Sequence, residues 1–234
     1  MHILIAPNAF KNSLDALAVA KAIGEGLRQS KLKCTFEYFP VGDGGDGTAE
    51  LIIQKNNGTP VNAEVHDALG RKINASYGLI DNGNTAVIEL ADASGIRLLE
   101  PHELDPLHAT TFGTGELIKH ALGNEISKII MCIGGSATVD GGTGILQALG
   151  IRFLNSENEI LKNVPESLVY LAAIDLSGLD KRILNCELII LCDVENKLLG
   201  ETGAAKIFGP QKGASAEDVQ KLEVALTKFR DISL

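Results

Sequence analysis

The chain has 234 residues, 45% hydrophobic and 4% aromatic, with no tryptophan. Its formal net charge is -9, from 30 acidic and 21 basic residues; with no long basic run, such a field argues against a nucleic-acid binder. A mean hydropathy of +0.13 argues against a disordered chain, and no run approaches the ~18 apolar residues that cross a bilayer.

What remains is a globular protein with a core of Leu, Ile, Val and Ala. The chain opens directly on a strand-like run, without a charged segment leading into an apolar one, so a cytoplasmic location is expected. The four cysteines, Cys34, Cys132, Cys186 and Cys192, form no CxxC pair and have no histidine at zinc-ligand spacing. They read as free thiols.

Residues 2–6 form a short apolar run ended by Pro7, which predicts a buried strand. Ser13 is placed to cap a helix, with Asp15 in its first turn. Ala16, Val19, Ala20, Ile23 and Leu27 follow at helical spacing. Residues 35–41 return as a strand and run into Gly42-Asp43-Gly44-Gly45-Asp46-Gly47-Thr48. A second helix follows and is stopped by Asn57-Gly58. This order, β-α-β-α, begins a parallel sheet with crossover helices.

Beyond Gly58 the pattern changes. Residues 60–66, 73–79 and 85–90 are three strand-like runs, with turns at Leu69-Gly70-Arg71 and Asp81-Asn82-Gly83-Asn84. They predict an antiparallel meander. The expected organisation is therefore two α/β domains: a Rossmann-like parallel-sheet domain at 1–58 and a mixed-sheet domain at 59–234. From Thr111 helices and strands alternate again: helix 116–122, strand 128–133, helix 145–149 and a buried strand at 187–191. A last helix is capped by Ser215, with Glu217 and Asp218 in its first turn. Its apolar stripe is Val219, Leu222, Ala225, Leu226 and Phe229.

Four places put glycine beside Asp, Ser or Thr after an apolar run: 43–48, 113–115, 134–144 and 193–196. Ligands in α/β sheets bind beyond the carboxyl ends of strands. Glycines there let backbone N–H groups approach phosphate oxygens, and carboxylates there hold Mg²⁺ or accept a proton. The run from Gly134 to Gly144 has the composition of a phosphate cradle. It is neither a Walker A loop nor a dinucleotide fingerprint, and it also reads as a tight strand-to-helix turn. Asp43 and Asp46 repel each other in one turn unless a cation or donors sit between them. Asp193 follows a strand-like run directly, as a functional carboxylate or a cap. Lys11 and Lys212 lie in loops, at a ligand or simply in solvent.

Taken together, the stretches Ala6-Pro7-Asn8-Ala9-Phe10-Lys11-Asn12-Ser13, 42–48, 111–117, 133–144, 192–196 and 208–214 resemble the bacterial glycerate kinase family, in order along the chain. The resemblance implies ATP-dependent phosphorylation of D-glycerate with Mg²⁺, in a cleft between two α/β domains. Under it, Gly134, Gly135, Ser136, Thr138 and Asp140 belong to the loop that cradles nucleotide phosphates. Asp43 and Asp193 are general base or Mg²⁺ ligand, with Asp46 a second metal carboxylate. Lys11 and Lys212 neutralise the glycerate carboxylate or the moving phosphoryl group. Asp43 and Asp193 are expected near one another.

Family members commonly carry Asp where Asn8 stands and Gly where Asn12 stands, and an uncharged Asn8 is a poor metal ligand. The family also continues for well over a hundred residues beyond the position of Leu234, with α/β units that complete the sheet begun by 1–58. An open apolar strand edge in the first domain is therefore expected to favour self-association, and the isolated chain to turn over little. A kinase of another small hydroxy acid, and a non-catalytic remnant that binds a ligand or partner chain, are the competing readings.

Overall fold

The computed structural model describes residues 1–10, 13–162 and 164–233. Strand β1 (His2–Ile5), helix α1 (Ala16–Gln29) and strand β2 (Thr35–Tyr38) form the expected unit, with β1 and β2 parallel and His2 opposite Thr35. Ser13 does not cap α1. Asp15 does, its Oδ1 accepting from the N–H of Ala18 at 2.7 Å, because the helix starts at Ala16 and the cap must immediately precede it.

Helix α2 (Thr48–Lys55) precedes the meander of β3 (Thr59–His66), β4 (Lys72–Ile80) and β5 (Thr85–Glu89), which is antiparallel as expected. The chain continues through α3 (Ala91–Ser94), α4 (Phe112–Ala121), β6 (Lys128–Cys132), α5 (Thr143–Ala148), β7 (Arg152–Leu154), β8 (Ala173–Asp175), β9 (Glu187–Leu191), α6 (Ala204–Phe208) and α7 (Ala216–Ser233). Strands β6 and β9 add in parallel to β5, so one mixed five-stranded sheet runs β3-β4-β5-β6-β9.

Both faces of this sheet are packed at its centre. Ile88, Ile129 and Met131 meet Leu117, Ile118 and Ala121 of α4 on one face. Val87 and Cys132, on the other, meet Ala49, Ile52 and Ile53 of α2. Period-two alternation along β5 and β6 makes this possible, since neighbouring residues point to opposite faces. Full burial of a side chain such as Leu117 or Ile129 contributes about 2 kcal/mol. A second core gathers Phe153, Leu168 and Leu171 beneath α7, and α7 also packs Leu222 and Leu226 on Leu107, Val139 and Ala205. Ser215 and Asp218 exchange the backbone-to-side-chain bonds of a capping box at the start of α7.

Two strands read as buried are not. Leu4 of β1 is 54% exposed, and Leu188 and Ile190 of β9 are 49% and 50% exposed. Among the described residues strand β1 has a single neighbour, β2, and β9 is the sheet's edge. Leu188 and Ile190 lie opposite Ile129 and Met131, on the α4 face, but that helix covers the centre of the sheet and not its rim. An unbroken apolar run reads the same whether or not a layer covers it.

Residues 113–115 follow no strand. They lie in α4, where they serve packing. Gly113 passes so close to the carbonyl of His66 that a Cβ would collide with it, and Gly115 packs on Ile145 and Ala148 of α5. Thr114 is fully buried, its hydroxyl 2.8 Å from that of Ser94.

Candidate functional site: three loops at the strand ends

The loops beyond β2, β6 and β9 meet at one place. The N–H of Gly134 donates to the carbonyl of Gly44 at 2.9 Å. A Cβ on Gly134 would overlap the backbone of Gly45. Gly44 has φ +89° and lies against Leu191 and Cys192, where a Cβ would stand 2.8 Å from the Leu191 carbonyl. Only glycine allows backbones this close and the left-handed turn at residue 44. The loops that carry Asp43 and Asp193 therefore touch, one residue from each. The Asp193 side chain is exposed and makes no hydrogen bond or ion pair among the described residues.

Asn8, beyond β1, donates from Nδ2 to Oδ2 of Asp43 at 2.8 Å, while its Oδ1 accepts from the N–H of Ala9 at 2.7 Å. Asp43 Oδ1 accepts from the N–H of Gly45 at 2.9 Å. The amide at position 8 thus orients the Asp43 carboxylate, where a second carboxylate would repel it. Asp46 is exposed and faces Gly135, since a methyl on Gly135 would collide with its Oδ1. Lys11 and Asn12 lie outside the described residues.

The N-terminus of α2 is already occupied by an anion. Glu89, at the end of β5, accepts from the N–H of Gly47 with both oxygens, at 2.9 and 3.0 Å, and from that of Ala49 at 3.1 Å. It satisfies orphan donors and complements the helix dipole. Burial pushes its carboxyl above the ordinary range, against the pull of those N–H groups. Burial also raises Asp92, with Arg97 opposing. Arg97 bonds to Asp92 and stands 3.9 Å from Glu89. Sequence reasoning missed Glu89, Asp92 and Arg97. The available signal was a carboxylate closing the apolar run Ala86-Val87-Ile88.

The loop from Gly134 to Gly144 divides into two parts. Its second part is turned inward. Asp140 is 2% exposed, and its carboxylate accepts from the N–H and hydroxyl of Thr111 at 2.8 and 2.7 Å, from Gly142 at 3.0 Å and from Gly144 at 3.1 Å. One carboxylate thus serves the starts of α4 and α5. Thr138 is buried too, and its carbonyl accepts from Lys212 Nζ at 2.6 Å. The first part, from Gly134 to Ser136, reaches the surface. Gly135 is exposed and Ser136 half-buried. The carbonyl of Gly135 accepts from Ile96, and the N–H of Ala137 donates to Ser94. The N–H groups of Gly135 and Ser136 have no acceptor among the described residues.

Lys212 lies beneath this loop, only 7% exposed. Nζ donates to Ser136 Oγ and to the Thr138 carbonyl, both at 2.6 Å, and sits 6.0 Å from the Phe208 ring centroid. Burial pushes its amine down to about 8, although Asp140 acts in the opposite direction. Among the described residues, no three His, Cys, Asp or Glu side chains converge as a metal site, and no helix is long and apolar enough to cross a membrane.

The sequence model of the glycerate kinase family matches residues 3–233. A glycerate kinase of Haemophilus influenzae is 43% identical over 233 residues, covering 100% of this chain and 62% of that protein. A glycerate 2-kinase of Escherichia coli is 44% identical over 232 residues, covering 99% of this chain and 61% of that protein. The crystal structure of a Salmonella typhimurium protein described as a glycerate kinase 2 superposes with a TM-score of 0.85 at 45% identity, covering 99% of this chain and 62% of that one. The chain thus spans about three fifths of the length of the relatives it matches.

Proposed function

The chain belongs to the glycerate kinase family, and on that premise we propose that it carries the phosphate-side and carboxylate-side loops of an enzyme that phosphorylates D-glycerate with ATP and Mg²⁺ in the cytoplasm. The observation that supports this reading best is the meeting of loops at residues 43–46, 134–136 and 191–193. Among the described residues it leaves the N–H groups of Gly135 and Ser136 without acceptors, and Gly135 lies against the carboxylate of Asp46.

Phosphoryl transfer asks a protein for positioning and charge neutralisation more than for covalent chemistry. Gly135 and Ser136 supply donors for phosphate oxygens. Asp43 and Asp46 are the carboxylates that would hold Mg²⁺, an ion that commonly takes one or two carboxylates and completes its shell with phosphates and water. Asp43, oriented by Asn8, is also a candidate to accept the proton of a substrate hydroxyl, with Asp193 of the neighbouring loop as the alternative. Lys11 is the remaining cation assigned to the substrate carboxylate.

The test is a coupled assay of ADP release from the full protein encoded by the gene, with ATP, Mg²⁺ and D-glycerate. Turnover that needs all three and falls at least a hundredfold in Asp43→Asn is expected. No turnover of D-glycerate, or full turnover in that variant, overturns the reading. A preference for another small hydroxy acid would change the substrate and keep the reaction class.

A further inference from the structure

Lys212 and Ser136 are 76 positions apart in the chain, and their contact determines where a proton points. An ammonium group only donates. Because Lys212 Nζ donates to Ser136 Oγ at 2.6 Å, the serine oxygen is an acceptor there, and its own hydrogen must point elsewhere. Ser136 is half-buried and Gly135 exposed, and among the described residues the N–H groups of both also lack acceptors. Lys212 itself is buried and already bonded to the Thr138 carbonyl.

We propose that Gly135 and Ser136 form a binding site for a tetrahedral oxyanion of the phosphoryl type, in which Lys212 holds the Ser136 hydroxyl as an outward donor without touching the ligand. This rests on the kinase reading and deepens it. Lys212 is then a positioning residue, and the donors at the site are two amides and one hydroxyl. The other helix-start donors nearby are not available for the purpose, because Glu89 fills the start of α2 and Asp140 the starts of α4 and α5.

The arrangement has a pH signature. While Lys212 is an ammonium, Ser136 donates outward. Once it becomes a neutral amine it offers a lone pair, and the hydroxyl proton turns inward to it. Burial brings that change down to about pH 8. The charged group that acts on Lys212 itself is Asp140, from the loop. The charged groups of the neighbouring elements are Asp46, which faces Gly135, and Asp43 on the loop before α2, with Glu89, Asp92 and Arg97 from the β5–α3 side. Their contribution is common to wild type and to a Ser136 variant, and the comparison removes it.

The probe is inorganic sulfate, a tetrahedral dianion whose charge is constant from pH 6 to 10. Binding is followed by amide shifts of the ¹⁵N-labelled chain. Sulfate is expected to move the amides of Gly135 and Ser136, and its Kd to rise about tenfold as pH passes through the Lys212 titration, read separately from its ¹³Cε shift. Ser136→Ala should weaken binding about tenfold and shrink the pH step, while Lys212 still titrates. An undiminished step in Ser136→Ala means that Lys212 acts by its field alone and overturns the proposal, as does sulfate binding that spares these two amides. ADP and phosphoglycerate, competing with sulfate, tell which phosphoryl group the site holds, and competition by neither overturns the proposal. These results stand whatever the turnover assay gives, so a failure of the site and a failure of the kinase reading are told apart.

Discussion

Replacing Lys212 with methionine isolates the cost of a buried ammonium. The side chain is 7% exposed, and burial lowers its amine from 10.5 to about 8, against the opposing pull of Asp140. In the unfolded chain the same amine keeps its ordinary affinity for a proton. Between the two values the unfolded state therefore binds more protons than the folded state, and stability rises with pH across that window. Below the folded value both states are charged, and the full cost of burial is present. Above the unfolded value both are neutral, and it is gone. The gap between 10.5 and about 8, at about 1.4 kcal/mol per pH unit, amounts to about 3 kcal/mol. Methionine has similar length and no charge, so Lys212→Met lacks this dependence. It also loses the bonds to Ser136 and Thr138, which shifts its stability by an amount that pH barely changes. Urea unfolding of both proteins in half-unit steps from pH 7 to pH 10.5 measures the difference. Wild type should gain about 3 kcal/mol on the variant across the range. A difference that stays flat would show that the ammonium is hydrated in the folded protein, and would refute the argument.

Three further perturbations test the packing and the loops. Asp140→Asn keeps the shape but places an NH₂ among four donors, and should cost about 3 kcal/mol; an unchanged thermal midpoint contradicts the shared-cap role of this carboxylate. Gly113→Ala should destabilise by about 2 kcal/mol in urea titration, because collision with the His66 carbonyl outweighs the ~1 kcal/mol helix preference for alanine; a gain in stability would refute the close approach. Glu89→Gln should speed hydrogen exchange at Gly47 and Ala49 about tenfold, and unchanged protection there would mean that the carboxylate does not hold the start of α2.

Much of the fold was legible along the chain because it depends on neighbours in sequence. The alternation of residues 73–79 and 85–90, with Asp81-Asn82-Gly83-Asn84 between them, is enough to predict a hairpin, and the hairpin is present. The stripe of α7 and its Ser215 cap are equally local. The short pair β7 and β8 and the brief helices α3 and α6 were not legible, since three to five residues carry too little periodicity to stand out. The cap of α1 was misplaced by two residues for a similar reason. Ser13 and Asp15 are both good caps, and only the position of the first helical turn chooses between them.

By itself the sequence determined the α/β class, the meander, and which loops hold glycines, carboxylates and lysines. Those properties follow from local periodicity and turn chemistry. Tertiary structure alone decided how each of these residues is used. Asp140 and Asp46 look alike in a glycine-rich stretch, yet one is enclosed by donors from Thr111, 29 positions away, and the other faces solvent beside Gly135. Lys212 reads as a loop lysine until its contact with Ser136 appears. Leu188 and Ile190 read as core until β9 is found at the edge. Burial and proton direction are set by whatever packs against a group from elsewhere in the chain, and no local pattern contains that information.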